Sequence, residues 1–193
     1  MASRVLVVYG TTEGQTKKIA DALAGALASH GALADVRAAG DQPPAPGGYA
    51  GVVVAASIHA GQYQRPVRRW VRAHRDTLEA MPAAFVSVCL GVLQHDEKAR
   101  RDLERILDGF VAETGWRPSV VKHVAGALPY TRYGWLKRLL MRRIVGKAGG
   151  DTDTSRDYEY TDWADLDRFS ADLAREIEIA RDPISTWPAS GHV

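Results

Sequence analysis

Three hydroxyl side chains stand where a short apolar run near the start of the chain breaks. Val5-Leu6-Val7-Val8-Tyr9 gives way to Gly10-Thr11-Thr12-Glu13-Gly14-Gln15-Thr16, and a helical pattern follows from Lys17 to His30. A buried strand that ends in such a loop and feeds a helix N-terminus is suited to holding an anion. Free N–H groups of the first helical turn and the positive end of the helix dipole both face the loop. The composition narrows which anion. Without a Gly-Lys-Ser/Thr ending this is not a nucleoside-triphosphate loop, and it lacks the G-x-G-x-x-G spacing of a dinucleotide site. Thr11, Thr12 and Thr16, with backbone amides, can wrap a monoester phosphate without lysine or arginine. Read alone, the loop is equally an ordinary strand-to-helix turn with a threonine cap.

Two further segments could do chemistry. Ser57-Ile58-His59-Ala60-Gly61-Gln62-Tyr63 offers a glycine able to adopt positive φ and an aromatic able to pack on a flat ligand. Cys89, Leu90 and Gly91 open a third loop that runs to about His95. In a doubly wound sheet, ligands sit at the carboxyl ends of strands near the switch in strand order. A phosphate at the first loop and a planar ring between the second and third describe FMN. His59 reads as a flavin neighbour or proton donor, or else as a hydrogen-bonded loop histidine. Arg65, Arg68 and Arg69 could grip carboxylates or simply form a solvated helix face. Cys89 ends a buried strand and reads as packing, since nothing near it in sequence would lower its pKa. The histidines show no metal-ligand spacing, so no metal is expected.

These loops need a frame, and the periodicity supplies one. Short strands are expected at Ala34-Asp35-Val36-Arg37, Gly51 to Ile58, Ala83 to Leu90 and Val120 to Leu128. Helices are expected from Pro66 to about Met81, from Glu97 to Thr114, and from Asp162, its cap, to about Ile179. Strands alternating with helices imply an α/β fold with a parallel sheet and right-handed crossovers. More than thirty residues separate the fifth strand from the last helix, too many for a structureless loop. Tyr133, Leu136, Leu140 and Ile144 share one helical face, so 132–147 reads as an inserted helix within an insertion of about 129–157. A short strand Tyr158-Glu159-Tyr160 follows.

At 193 residues the chain is expected to form one domain over 1–181 with a frayed tail at 182–193. One cysteine excludes an internal disulfide framework and fits a reducing compartment. No signal segment or membrane-spanning run stands out, so a cytoplasmic protein is expected. The net charge of +2 implies no nucleic-acid partner, but it conceals an asymmetry. No acid falls between Thr114 and Gly150, a stretch that holds eight bases, whereas acids dominate after Asp151. In the inserted helix, Trp135, Leu136, Leu139, Leu140 and Ile144 beside Arg138, Arg142, Arg143 and Lys147 could rest at an anionic bilayer on the inner face of the cell membrane. Packing on the domain or on a second subunit is the alternative. Trp116, Trp135 and Trp163 read as core or subunit contacts.

Thr11 to Thr16 resembles the flavodoxin phosphate loop, and the strand–loop–helix order is similar to the flavodoxin fold over nearly the whole chain. A narrower resemblance is to the flavodoxin-type, menaquinone-dependent protoporphyrinogen IX dehydrogenases. It rests on Ala56-Ser57-Ile58 with Gly61 and Tyr63, Trp116-Arg117-Pro118, Ala125-Gly126-Ala127-Leu128 and Tyr130 to Trp135. Gly149 to Thr154 and Tyr160-Thr161-Asp162-Trp163 extend it. The resemblance implies five parallel strands in order 2-1-3-4-5 and FMN held by residues 11–16, 57–61, Tyr63 and 89–91. It also implies oxidation of a porphyrinogen with electrons passed to a quinone, and candidate propionate contacts at Arg65, Arg68 and Arg132. One stretch departs: Gly91 to Lys98 is mixed in charge where better-known members carry a basic, proline-containing loop. Two other readings remain, an electron carrier that docks on protein partners and a quinone reductase with another donor. One-electron carriers gain from acids near the ring, and loops 57–64 and 90–95 contain none, which favours two-electron chemistry.

Overall fold

Two uninterrupted apolar runs decide the centre of the molecule. Val5 to Val8 and Val52 to Ala56 are fully buried, which suits strands covered on both faces. The computed structural model describes residues 2–94, 96–128, 130–132, 146 and 153–181. The strands in chain order are β1 (Ser3–Gly10), β2 (Ala32–Ala38), β3 (Gly51–His59), β4 (Gln62–Tyr63), β5 (Ala83–Val88) and β6 (Val120–Val124). Five of them form a parallel sheet in the order β2-β1-β3-β5-β6, and β4 is a short antiparallel partner of β3. The main sheet is the expected five-strand arrangement. The extra strand arises because residues 57–64 form a hairpin rather than an open loop.

Helices α1 (Gln15–Ser29), α2 (Arg65–Ala73), α3 (Arg75–Glu79), α4 (Glu97–Thr114) and α5 (Trp163–Arg181) cover the two faces. The period-two alternation of β1 sorts its side chains. Val5 and Val7 pack with Ile19, Leu23 and Leu27 of α1 and Leu166, Leu173 and Ile177 of α5. Leu6 and Val8 face Val67, Trp70 and Val71 of α2 and Phe110 of α4. Each such fully buried aliphatic side chain contributes roughly 1.5–3 kcal/mol. Local signals set the helix ends. Asp96 Oδ1 accepts from the Ala99 N–H at 2.7 Å, and Asp162 Oδ1 accepts from Asp165 N–H at 2.9 Å. Gly115, at φ 76°, closes α4.

Three expectations are corrected. The helix expected from Pro66 to Met81 breaks at His74, whose φ of −121° and ψ of 16° leave the helical range while its ring packs on Trp70 at 4.9 Å. The strand expected to reach Leu90 ends at Val88, and Leu90–Leu93 forms a single 3-10 turn. The strand expected over 120–128 stops at Val124. There the Ala125 carbonyl accepts the Thr161 hydroxyl at 2.8 Å and the Gly126 carbonyl accepts Tyr160 N–H at 3.1 Å, so both are withdrawn from the main ladder. The chain resumes as β7 (Ala127–Leu128), paired antiparallel with β8 (Tyr158–Glu159). The inserted helix expected over 132–147 and the tail 182–193 fall outside the described residues, apart from Arg132 and Gly146.

Candidate functional site

The chain reverses its direction of winding between β1 and β3, so their carboxyl ends diverge and leave a crevice. The loop after β1 borders it. Gly14 sits at φ 95°, a left-handed conformation that favours glycine, and its N–H donates to Thr11 Oγ1 at 2.9 Å. Gln64, the residue before α2, reaches across: its Nε2 donates to Thr12 Oγ1 at 3.3 Å and to Ser57 Oγ. Thr16 lies in the first turn of α1 with 1% exposure, and its hydroxyl has no hydrogen-bond partner among the described residues. The first turn of α1 has no side-chain cap and no acid, so its N–H groups are left for a ligand.

These polarities match an anion. Thr11 and Thr12 each accept an N–H, which leaves their own protons to donate, and the buried Thr16 hydroxyl is an orphan needing a partner. The residues therefore fit a phosphate. Gly10 holds the floor of this cradle. A Cβ there would lie 2.4 Å from Val67 Cγ2 and 3.0 Å from Gln64 Oε1, so only glycine lets α2 pack this close to the end of β1.

The second loop is a hairpin. Ile58 pairs with Tyr63 and His59 with Gln62. Ala60 and Gly61 form the tip at φ 49° and 76°, the pair of positive values that a two-residue primed turn requires. Ser57 and Ile58 are half-buried, whereas His59 and Ala60 are exposed. Tyr63, expected to present its ring to a flat ligand, points into the core with 2% exposure. It meets Phe85 and Phe110 edge-on, and its hydroxyl pairs with Ser87 Oγ at 2.8 Å. Burial pushes its phenol up to about 12. In the third segment, Cys89 N–H still reaches the Val124 carbonyl at 3.0 Å. Burial raises the Cys89 thiol above its ordinary value, which suits packing rather than nucleophilic chemistry. Leu90 and Gly91 are half-buried beside it.

Among the arginines, Arg65 is exposed at the start of α2. Arg68 turns to α4 and forms an ion pair with Glu113, its side chain 19% exposed. Arg132 belongs to the 3-10 turn Tyr130–Arg132. Trp116 is buried, while Trp163 is 36% exposed beneath the Lys18 ammonium, 5.1 Å from the ring centroid. Glu13 is half-buried in the cradle loop.

Two residues of the site escape a reading by local pattern. Gln64 carries no motif. Thr161 accepts from Gln15 Nε2 at 2.9 Å and donates to the Ala125 carbonyl, tying the cradle to the start of α5 across 146 residues. The signal for Thr161 is its place in Tyr160-Thr161-Asp162-Trp163; Gln64 has none.

A parallel sheet wound in this order, with a hydroxyl-lined anion cradle at its switch point, defines a flavodoxin-type α/β protein. The flavodoxin domain family matches residues 6–155. Solved structures share the fold. Oxidised flavodoxin 1 from Bacillus cereus aligns with a TM-score of 0.53 at 16% identity, covering 90% of this chain and 98% of that one. An archaeal flavodoxin aligns at 0.51 and 14%, covering 91% and 99%. Among sequence relatives, protoporphyrinogen IX dehydrogenase [quinone] of Escherichia coli K12 is 36% identical over 172 residues, 89% of this chain and 94% of the relative. The Leishmania major protein of the same name is 34% identical over 175 residues, 89% and 74%. The chain belongs to the protoporphyrinogen IX dehydrogenase [quinone] family of flavodoxin-domain flavoproteins, and it is a flavin-type oxidoreductase.

Proposed function

We propose that this chain binds FMN and uses it to oxidise a porphyrinogen, passing the electrons to a quinone. The observation that carries the reading is the 36% identity over 89% of the chain to a relative named for that reaction. The flavin, when bound, supplies the two-electron chemistry. The chain's own residues bind and orient. Thr11, Thr12 and Thr16 donate to the terminal phosphate, with the N–H groups of α1 adding the positive end of its dipole. The hairpin 57–63 and the turn from Cys89 wall the crevice beside it. Arg65, exposed directly after the hairpin, is the candidate to meet substrate carboxylates, whereas Arg68 is held by Glu113. The His59 imidazole, exposed on the hairpin, is the candidate to exchange a proton with solvent.

The test is anaerobic incubation of FMN-loaded protein with protoporphyrinogen IX, following porphyrin fluorescence with and without a menaquinone analogue. The porphyrinogen gives up six electrons and each flavin accepts two, so without quinone fluorescence is expected to stop at about one third of an equivalent of porphyrin per FMN, and with quinone to continue turning over. No increase in either arm above a protein-free control overturns the substrate assignment.

A further inference from the structure

We infer that Gln64 is a positioning residue for the flavin phosphate, acting through Thr12: its amide fixes which way the hydroxyl protons of Thr12 and Ser57 point. The inference rests on the FMN reading above. Gln64 precedes α2 and spans the crevice between the ends of β1 and β3. Its Nε2 carries two protons and gives one to Thr12 Oγ1, at 3.3 Å, and one to Ser57 Oγ. A hydroxyl that accepts an N–H keeps its own proton for another acceptor. The opposite amide orientation would draw both hydroxyl protons onto Oε1 and leave lone pairs facing the crevice. A phosphate dianion offers only lone pairs, so it is bound by the first arrangement and repelled by the second.

The other end of the amide faces a buried, apolar side of the crevice. Gln64 Oε1 is buried and has no partner among the described residues. It is turned toward Gly10, where a Cβ would lie 3.0 Å from it. Gly10 and Val67 offer neither a donor nor an acceptor side chain at that end, so the orientation is decided at the two hydroxyls and by the charge they face. Thr11 shows the same wiring by a different route, accepting the Gly14 N–H at 2.9 Å. Among the described residues no backbone N–H donates to the Thr12 hydroxyl, and the Gln64 amide takes that role.

The test measures FMN and riboflavin dissociation constants by flavin fluorescence quenching on the full chain. Variants are Gln64→Leu, Gln64→Glu, Thr12→Ala and the double variant Gln64→Leu/Thr12→Ala. Gln64→Leu is expected to weaken FMN about tenfold more than riboflavin. The double variant is expected to be no weaker for FMN than Thr12→Ala alone, because Gln64 acts through that hydroxyl. Gln64→Glu is nearly isosteric, so the fold is kept. At neutral pH it captures both hydroxyl protons and sets a negative charge beside the phosphate, and the FMN loss exceeds that of Gln64→Leu. Measured relative to wild type at each pH, this loss shrinks as the pH falls and the introduced carboxyl protonates. The inference is overturned if the Gln64 variants keep the wild-type FMN-to-riboflavin ratio. It is equally overturned if the Gln64→Leu and Thr12→Ala effects multiply, or if the Gln64→Glu loss is flat with pH. A wild-type chain that binds no FMN removes the reading beneath it, an outcome separate from all of these.

Discussion

The two loops that border the crevice solve opposite problems. The cradle, residues 10–16, leaves hydrogen-bonding capacity unspent: the Thr16 hydroxyl is buried without a partner, and Thr11 and Thr12 accept rather than donate. The hairpin, residues 57–63, spends its capacity internally. Its strands pair with each other, and the Tyr63 hydroxyl is held by Ser87. The difference teaches that affinity for a charged group comes from unsatisfied donors, whereas a wall for a flat ring needs only rigid backbone. Polar groups left unpaired in the cradle are the cost of specificity there; the paired backbone of the hairpin supplies a fixed wall beside it.

The strongest way to break this comparison is at the cradle. Thr12→Ala with Thr16→Ala removes two hydrogen bonds to a charged acceptor, roughly 1.5–3 kcal/mol each. FMN affinity is expected to fall about 10²- to 10⁴-fold, with riboflavin affinity little changed. Equal losses for both flavins would show that the hydroxyls serve the ring end instead, and an unchanged FMN affinity would mean that the phosphate binds elsewhere.

The hairpin is tested through Tyr63. Its phenol titrates at about 12 because it is buried, against about 10 in the unfolded chain. The folded form therefore holds its proton where the unfolded form has lost it. That stabilisation is fully present below pH 10 and is lost as the pH rises from 10 to 12, on the order of 2–3 kcal/mol. Denaturant titrations of wild type should steepen in pH dependence across that window, and Tyr63→Phe should flatten it. At neutral pH Tyr63→Phe should cost about 1 kcal/mol, for the lost Ser87 bond, without altering flavin affinity. A fall in FMN affinity at unchanged stability would return Tyr63 to the ligand.

Where the two loops meet, Gly10→Ala introduces a methyl 2.4 Å from Val67 Cγ2. Overpacking of this kind costs about 1–3 kcal/mol. Thermal unfolding should show a lowered Tm with FMN affinity reduced in step, because α2 and Gln64 move together. A variant with normal Tm would mean that Val67 yields and that the floor of the cradle is softer than its contacts imply.

What was legible in the chain follows the range of the interactions. The cradle is local: Gly10 through Thr16 carries strand end, left-handed glycine and hydroxyls within seven residues, so composition alone puts phosphate level with an ordinary capped turn. The sheet was legible because strands buried on both faces, such as Gly51 to His59, read as continuous apolar runs. Tyr63 is ambiguous in sequence because an aromatic in a loop has the same appearance whether it faces a ligand or a core. Only the neighbouring Phe85 and Phe110, 22 and 47 residues onward, decide between them. The break after Val124 was hidden for the same reason. It depends on Tyr160 and Thr161 capturing the carbonyls of Gly126 and Ala125, and nothing in Val120 to Leu128 announces them. Gln64 is the plainest case, since a glutamine between a strand and a helix has no pattern, and its role exists only where Thr12 and Ser57 converge.

The smallest expected effect lies at the hairpin tip and sharpens the comparison most finely. Ala60 holds φ 49°, a left-handed value that costs a non-glycine residue about 1 kcal/mol. Replacement by glycine would relieve that strain but return a similar amount through the freer unfolded chain, leaving stability nearly unchanged. Ala60→Asn is the better probe, because asparagine tolerates the left-handed region and Asn-Gly suits this turn. It should stabilise by roughly 0.5 kcal/mol, a rise of about 1–2 °C in Tm for a chain of this size. If the hairpin contributes only a wall, flavin affinity stays at the wild-type value while the Tm rises. If affinity falls as the protein becomes more stable, the Ala60 methyl touches the ligand, and the strain is retained for contact rather than for chain reversal.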